Sequence, residues 1–167
     1  MPRIVIGVMG PGELATTEDC ELAERLGEQL AERGWVTLTG GRPAGVMDAA
    51  LRGARRRGGL TVGVLPGSTA ADASPHADIR IVTGLGDARN AINVLTSDVV
   101  CVCGMNAGTA SEVALALKAE RPTLLIAPAA TSEQFWRTLD NGCLHVATTV
   151  DEAVALIERL TTPATDD

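Results

Sequence analysis

Aromatic side chains are nearly absent from this chain of 167 residues, which has two tryptophans, one phenylalanine and no tyrosine. Proteins that hold single-stranded nucleic acid stack its bases on such side chains. The charge balance argues the same way, because 21 acidic residues against 14 lysines and arginines leave a net charge of −7. Nonspecific binding to nucleic acid or to an anionic membrane is therefore disfavoured. Any phosphate-binding site must therefore come from a small group of neighbouring residues and not from a broad basic surface.

Long apolar runs are also lacking. No stretch reaches the roughly 18 apolar residues that a membrane-spanning helix needs. The first residues lead straight into the apolar run Ile4–Val8, which is more typical of a first strand than of a signal peptide. We therefore expect a cytoplasmic protein without membrane contact.

The chain has four cysteines, and their spacing does not suggest a metal site. Cys101 and Cys103 lie two apart on one predicted strand, so their side chains share a face. A soft metal is one interpretation of such a pair. Because no Cys-x-x-Cys motif or paired histidine supports it, small buried side chains are the favoured interpretation, and no metal is predicted.

One stretch in the middle of the chain organises the rest. Residues 99–103 form a β-branched apolar run typical of a strand buried on both faces, and the segment 104–108 is too small and flexible to continue it. From Thr109 to Arg121 the residues favour a helix. A strand, a glycine-containing loop and a helix N-terminus form the usual ligand crevice of an open parallel sheet.

Strands and helices alternate along the whole chain. Further strands are predicted at residues 3–8, 35–39, 60–65, 79–82, 122–127 and 144–146, with helices or helical turns after each but the third, where 68–78 reads as a mobile surface loop. The helix after Asp87 is predicted to bury Ala88, Ala91, Ile92 and Leu95. The pattern predicts an α/β fold: one doubly wound parallel sheet, Rossmann-like, with helices on both faces. We expect a ligand-binding domain over 1–160 and a flexible tail over 161–167.

The loop from Gly40 to Met47 has two interpretations. It can be a tight turn, or its two adjacent glycines can give backbone N–H groups an open approach to phosphate, with Arg42 as a charge partner. Neither the P-loop nor the dinucleotide signature is present in full. The residues alone leave both interpretations open.

Arg89 and Glu112 each stand in the first turn of a predicted helix. A cation there opposes the helix dipole, so Arg89 is a candidate for facing a substrate. For Glu112 the alternative is structural, since Thr109-x-x-Glu112 matches a capping box in which the glutamate bonds back to the cap N–H. Spacing alone favours the cap.

Three motifs resemble a known family. Gly40-Gly41 with Gly45-Val46-Met47, Gly84-x-Gly86-x-x-Arg89-Asn90 and Gly108-Thr109-x-x-Glu112 occur in the order and spacing of a Rossmann-like superfamily. That superfamily includes molybdenum cofactor carrier proteins and the cytokinin-activating nucleoside 5'-monophosphate phosphoribohydrolases, and many members are labelled lysine decarboxylases. The resemblance runs from about residue 3 to residue 160.

The two branches of this superfamily imply different functions. The phosphoribohydrolase branch implies cleavage of the N-glycosidic bond, with Arg89 and Glu112 as catalytic residues at the ribose. This sequence departs from that branch, because Asn90 replaces a lysine and Gly104-Met105-Asn106 replaces Pro-Gly-Gly. The Gly-x-Gly-x-x-Arg-Asn form is more similar to the carrier branch, in which a phosphorylated pterin is held rather than cleaved.

The sequence analysis therefore predicts a carrier for a phosphate-bearing small molecule, either the molybdenum cofactor (molybdopterin) or a nucleotide, with the hydrolase as alternative. The resemblance implies a homodimer or larger homo-oligomer. Despite the common family label, the sequence argues against a pyridoxal-phosphate decarboxylase, since the only lysine, Lys118, is expected far from the crevice. The predicted ligand-binding residues are Gly40, Gly41, Arg42, Gly45, Gly86, Arg89, Asn90, Gly104, Met105, Asn106, Gly108, Thr109 and Glu112.

Overall fold

The structure, a computed structural model, describes residues 2–162. Its strands are β1 (Val5–Met9), β2 (Val36–Thr39), β3 (Thr61–Leu65), β4 (Ile79–Val82), β5 (Val99–Cys103), β6 (Thr123–Ile126) and β7 (Leu144–Ala147). Its helices are α1 (Thr17–Glu32), α2 (Gly45–Arg56), α3 (Arg89–Thr96), α4 (Ala107–Lys118), α5 (Ala130–Arg137) and α6 (Val150–Thr161), and a 3₁₀ turn (Gly86–Ala88) precedes α3. Apart from Thr161 and Thr162, the expected tail lies outside the described residues.

All seven strands pair in parallel, in the order β4-β3-β2-β1-β5-β6-β7. This confirms the predicted doubly wound α/β fold. The order reverses between β1 and β5, where Val8 is the partner of Cys101. In such sheets ligands bind in the crevice beyond the carboxyl ends of the strands at the reversal. None of the described helices is long and apolar enough to cross a membrane.

Each face of the sheet has its own hydrophobic core. On one face α1, α2 and α6 cover Ile6, Val8 and alternate residues of β5, and on the other α3, α4 and α5 cover Val100 and Val102. Cys101 and Cys103 share the first face, as predicted, and are fully buried. Burial raises the pKa of both thiols, that of Cys103 to about 12. Residues 2–162 contain no cluster of potential metal ligands around them.

The buried face predicted for α3 is only partly right, since Ile92 alone of its four residues packs against a core. Ala88 belongs to the preceding 3₁₀ turn and is exposed, Leu95 is 57% exposed, and the buried residues are Arg89, Asn93 and Val94. A pattern of apolar residues identifies the core side only when the opposite face meets water. Here the polar residues Arg89 and Asn93 face the carboxyl edge of the sheet and the start of α4. Their side chains are buried because they interact with groups there.

The loop over residues 68–78 is anchored rather than wholly exposed. Ser74 is fully buried, its hydroxyl donates to Asp48 Oδ1 at 2.6 Å, and its N–H donates to the carbonyl of Gly41 at 2.8 Å. The sequence showed only small and polar residues there. Such residues favour a loop, but the same composition also allows a serine whose hydroxyl is buried and hydrogen-bonded.

Candidate functional site

A crevice of about 150 Å³ lies beyond the carboxyl ends of β1 and β2, where the N-terminal ends of α3 and α4 meet. Eight of the residues predicted for the site line it: Gly40, Arg42, Arg89, Asn90, Asn106, Gly108, Thr109 and Glu112. They come from three separate segments of the chain. The parallel topology brings these segments to one edge of the sheet.

Gly41 lies outside the crevice lining and has a structural role. Its N–H donates to Thr39 Oγ1 at 3.0 Å, and its carbonyl accepts from Ser74. A side chain there would meet Gly63, since a Cβ would lie 2.8 Å from the Gly63 Cα. The expectation that Gly41 offers phosphate an open backbone donor is therefore wrong, because its donor is already used.

The N-terminus of α2 is closed by another loop. Gly45 has a φ of +52°, and a Cβ there would lie 2.1 Å from the carbonyl oxygen of Gly12. The N–H of Val46 donates to the carbonyl of Pro11 at 3.0 Å. The 10–12 loop after β1 thus occupies the place where an anion on α2 was expected. Gly86, Gly104 and Met105 also do not line the crevice.

The N-terminus of α4 remains open. Asn106 is the N-cap, and its Oδ1 accepts from the N–H of Thr109 at 2.8 Å and from Thr109 Oγ1 at 2.9 Å. The helix begins at Ala107, two residues before the predicted start. The N–H groups of Ala107 and Gly108 precede any intrahelical acceptor, so they are available to an anion.

This cap overturns the structural interpretation of Glu112. Because Asn106 caps α4, the capping box of Thr109 and Glu112 does not form. Glu112 is instead only 7% exposed, and its Oε1 accepts from Asn93 Nδ2 at 2.9 Å. Burial raises the pKa of Glu112, although the hydrogen bond from Asn93 and the charge of Arg89 both oppose the shift.

Arg89 is the other buried charge of the crevice. It is 9% exposed and lies on the backbone of Gly40, where a Cβ would stand 2.0 Å from its Nη1. Within residues 2–162 its Nε finds no hydrogen-bond acceptor. Burial lowers the pKa of Arg89, with Glu112 opposing the shift. Since a guanidinium stays protonated in proteins, Arg89 is a buried cation with unused donors.

A second cation stands at the mouth of the crevice. Arg42 forms an ion pair with Glu13, which follows the 10–12 loop; the side chain of Arg42 is partly exposed and that of Glu13 largely exposed. Exposed pairs of this kind contribute little to stability, so Arg42 can exchange partners at low cost. Asn90 is held nearby, donating from Nδ2 to Ser111 Oγ at 3.0 Å.

Several residues of the crevice were missed by the sequence analysis. The 10–12 loop and Glu13 line it, and Asn93 orients Glu112 from behind. Two signals were available. The Gly-Pro-Gly stretch directly follows the first strand and so lies at the ligand-binding edge, and Asn93 stands four residues after Arg89, one helical turn along the same ridge.

The model of the SLOG cluster4 family matches residues 3–154. The chain belongs to this family. An uncharacterised protein from Archaeoglobus fulgidus is 45% identical over 118 residues, which are 71% of this chain and 76% of that protein. The family assignment agrees with the superfamily suggested by the three glycine motifs.

Two solved structures are similar over nearly their whole length. The molybdenum cofactor binding protein from Rippkaea orientalis is 48% identical with a TM-score of 0.95, and the match covers 97% of this chain and 99% of that one. The molybdenum cofactor carrier protein from Chlamydomonas reinhardtii is 48% identical with a TM-score of 0.90, and the match covers 95% and 98%. The resemblance to the carrier branch is thereby confirmed.

The buried carboxyl of Glu112 makes a testable contribution to stability. Since its folded-state pKa is raised, it stabilises the protein below the unfolded pKa, and this stabilisation is lost as pH rises through the folded pKa. Glu112→Gln does not titrate. We expect its free energy of unfolding, relative to that of wild type, to increase as pH rises from the ordinary glutamate pKa of about 4.3 through the raised folded-state pKa. Urea unfolding across this range measures it, with the exposed Glu21→Gln as control; equal pH profiles for Glu112→Gln and wild type would contradict it.

Proposed function

We propose that this protein is a carrier that binds the molybdenum cofactor, with the phosphate group of the ligand in the crevice. The single observation behind this proposal is the buried guanidinium of Arg89, whose Nε has no acceptor within the described residues. An anion there would satisfy its donors and its charge together. The 48% identity to proteins named for binding and carrying this cofactor supports its identity. The expected cytoplasmic location is part of the same proposal.

The residues of the crevice divide the work of binding. Arg89 and the N–H groups of Ala107 and Gly108 hold the phosphate, and Arg42 joins them when it leaves Glu13. Glu112, fixed by Asn93, accepts hydrogen bonds from donors elsewhere on the ligand. The bound cofactor would bring the molybdenum chemistry, which belongs to the enzymes that receive it. The role of the protein is to hold and shield it.

The same crevice has one feature that favours the hydrolase alternative. Arg89 and Glu112 share it, and a carboxyl with a raised pKa can act as a general acid or base. Against hydrolysis, Asn90 stands where that branch carries a lysine and is bonded to Ser111. A lysine-dependent decarboxylase has no support, since Lys118 is the last residue of α4, at the end away from the crevice.

An apolar groove of about 280 Å³ between α3 and α4 supports the expected homo-oligomer. Ala91, Leu95, Leu115 and Ala119 line it, and Leu95 is 57% exposed. This is the apolar ridge of α3 that the sequence placed in the core. In a two-fold dimer the same face of a second copy would cover it.

Molybdenum content tests the carrier proposal. We expect freshly purified protein from cells that make the cofactor to contain molybdenum by elemental analysis and a released phosphorylated pterin by mass spectrometry. Arg89→Ala should lower this content at least about tenfold, because the phosphate loses a charge-assisted contact. Arg25→Ala removes the same charge from an exposed pair on α1 and should have no effect. Equal molybdenum in Arg89→Ala and Arg25→Ala would contradict the assignment of Arg89.

Nucleotide hydrolysis tests the alternative. We expect little or no ribose 5-phosphate from AMP, GMP or CMP, measured after prolonged incubation with wild-type protein. Brisk release that disappears in both Arg89→Ala and Glu112→Ala would replace the carrier by the phosphoribohydrolase.

If the α3–α4 groove is the interface between subunits, a charge placed in it should prevent assembly. We expect wild-type protein to be a dimer or larger by light scattering coupled to gel filtration, and Leu95→Glu to lower its mass, because a charge cannot be buried there without a partner. Leu139→Glu, at an equally exposed leucine beyond α5, is the control. An unchanged mass for Leu95→Glu would place the interface elsewhere.

A further inference from the structure

A second cavity of about 440 Å³ lies on the other side of the segment that divides β5 from α4. The start of α1, the carboxyl ends of β5 and β6 and the start of α5 enclose it. Gly104 and Met105 line this cavity, whereas Asn106, Gly108 and Thr109 line the crevice. One short segment therefore separates the two spaces.

Size argues that the crevice does not hold a whole ligand. Pockets for small molecules and cofactors usually measure about 300–1,000 Å³. The crevice, at about 150 Å³, falls below this range, and the second cavity, at about 440 Å³, lies within it. A phosphate fits the first, and a ring system needs the second.

One wall of the second cavity carries hydrogen-bond acceptors. Glu18 and Asp19 line it from the first turn of α1. Asp19 Oδ2 accepts from the N–H of Thr16 at 2.9 Å, which leaves acceptor capacity on Oδ1. A Cβ on Gly104 would lie 2.6 Å from Asp19 Oδ1, so this carboxylate rests against the segment between the two spaces.

The wall formed by α5 carries donors. The N-cap of α5 is Ala129, whose methyl side chain cannot accept a hydrogen bond from the N–H groups of the first turn. Ser132 follows in that turn and lines the cavity, and its Oγ is buried without a hydrogen-bond partner in the described residues. A buried hydroxyl without a partner is uncommon and costly, so it points to a ligand group. Between the walls, Val102, Leu125 and Ile126 form an apolar floor.

We propose that this cavity binds a planar 2-amino-4-oxo heterocycle, of the guanine or pterin type, whose phosphate lies in the crevice. The adjacent amino group and ring N–H of such a ring are two donors that match a carboxylate, here that of Asp19. Its oxo group accepts from Ser132, and its faces pack on the apolar floor. The inference rests on the proposed function, because it assumes that the phosphate occupies the crevice.

Three nucleotides test this ring preference. GMP carries both the amino and the oxo group, IMP lacks the amino group, and AMP carries neither in that arrangement. By calorimetry we expect wild-type protein to bind GMP at least about tenfold more tightly than IMP or AMP. A phosphorylated pterin that binds more tightly than GMP identifies the pterin as the natural ring, and the reverse order identifies guanine; both support the ring site.

Two variants test the two walls of the second cavity separately. Asp19→Asn keeps an acceptor for the helix cap but lacks the carboxylate, and it should reduce the GMP preference over IMP to about twofold or less. Ser132→Ala should weaken GMP and IMP about equally, because both carry the oxo group, and it removes no hydrogen bond from the free protein. Glu21→Gln, on the exposed side of α1, lowers the negative charge equally and should change neither ratio.

The possible outcomes separate the ring site from the proposed phosphate-binding function on which it rests. Equal affinities for GMP and IMP in wild type, or a GMP preference that survives in Asp19→Asn, overturn the ring site alone. Absence of binding by GMP and by the phosphorylated pterin overturns the phosphate crevice and the ring site together. Thermal unfolding of each variant verifies that Asp19→Asn retains the fold.

Discussion

The buried guanidinium of Arg89 is the constraint on which the ligand-binding edge depends. It enters from the first turn of α3 and lies against Gly40 so closely that no side chain fits at that position. A buried cation that lacks hydrogen-bond partners destabilises a protein unless something compensates it. Glu112 offers part of that compensation across the crevice, and its own burial opposes ionisation. In the free protein the positive charge of Arg89 is therefore only partly compensated, and an anionic ligand would supply the rest.

The glycines around this edge have different tasks, although they look alike in sequence. Gly40 admits the guanidinium, whereas Gly41 lets β2 leave the sheet beside Gly63. Gly45 admits the loop after β1, which closes the N-terminus of α2. Of α2 and α4, only α4 has an open start, because Asn106 caps it with a side chain and leaves the earlier N–H groups free. Of the two helices that the glycine motifs suggested, only α4 thus offers free N–H groups to an anion.

The sequence was sufficient for the sheet and insufficient for the side chains around the site. Apolar runs predict all seven strands, because every strand except the exposed edge strand β4 is largely buried in a parallel sheet covered by helices. The buried face of α3 was predicted wrongly in part, because polar residues on a helix face solvent only where no buried polar partner is available. Arg89 and Asn93 face α4 instead, where Asn93 bonds to Glu112. The cap of α4 was predicted wrongly too, since Asn106 and Thr109 are both common N-cap residues and only the position of the helix start decides between them.

The state of Arg89 in solution tests the account most directly. Protein labelled with ¹⁵N in its arginines alone gives one Nε–H signal per arginine, and Arg89→Lys identifies the signal of Arg89 by its loss. On titration with inorganic phosphate, we expect the Arg89 signal to shift and saturate while that of Arg25, which is paired with Asp151, stays unchanged. An Arg89 signal whose chemical shift does not change with phosphate, or changes no more than that of Arg25, would show that the buried guanidinium is not an anion site.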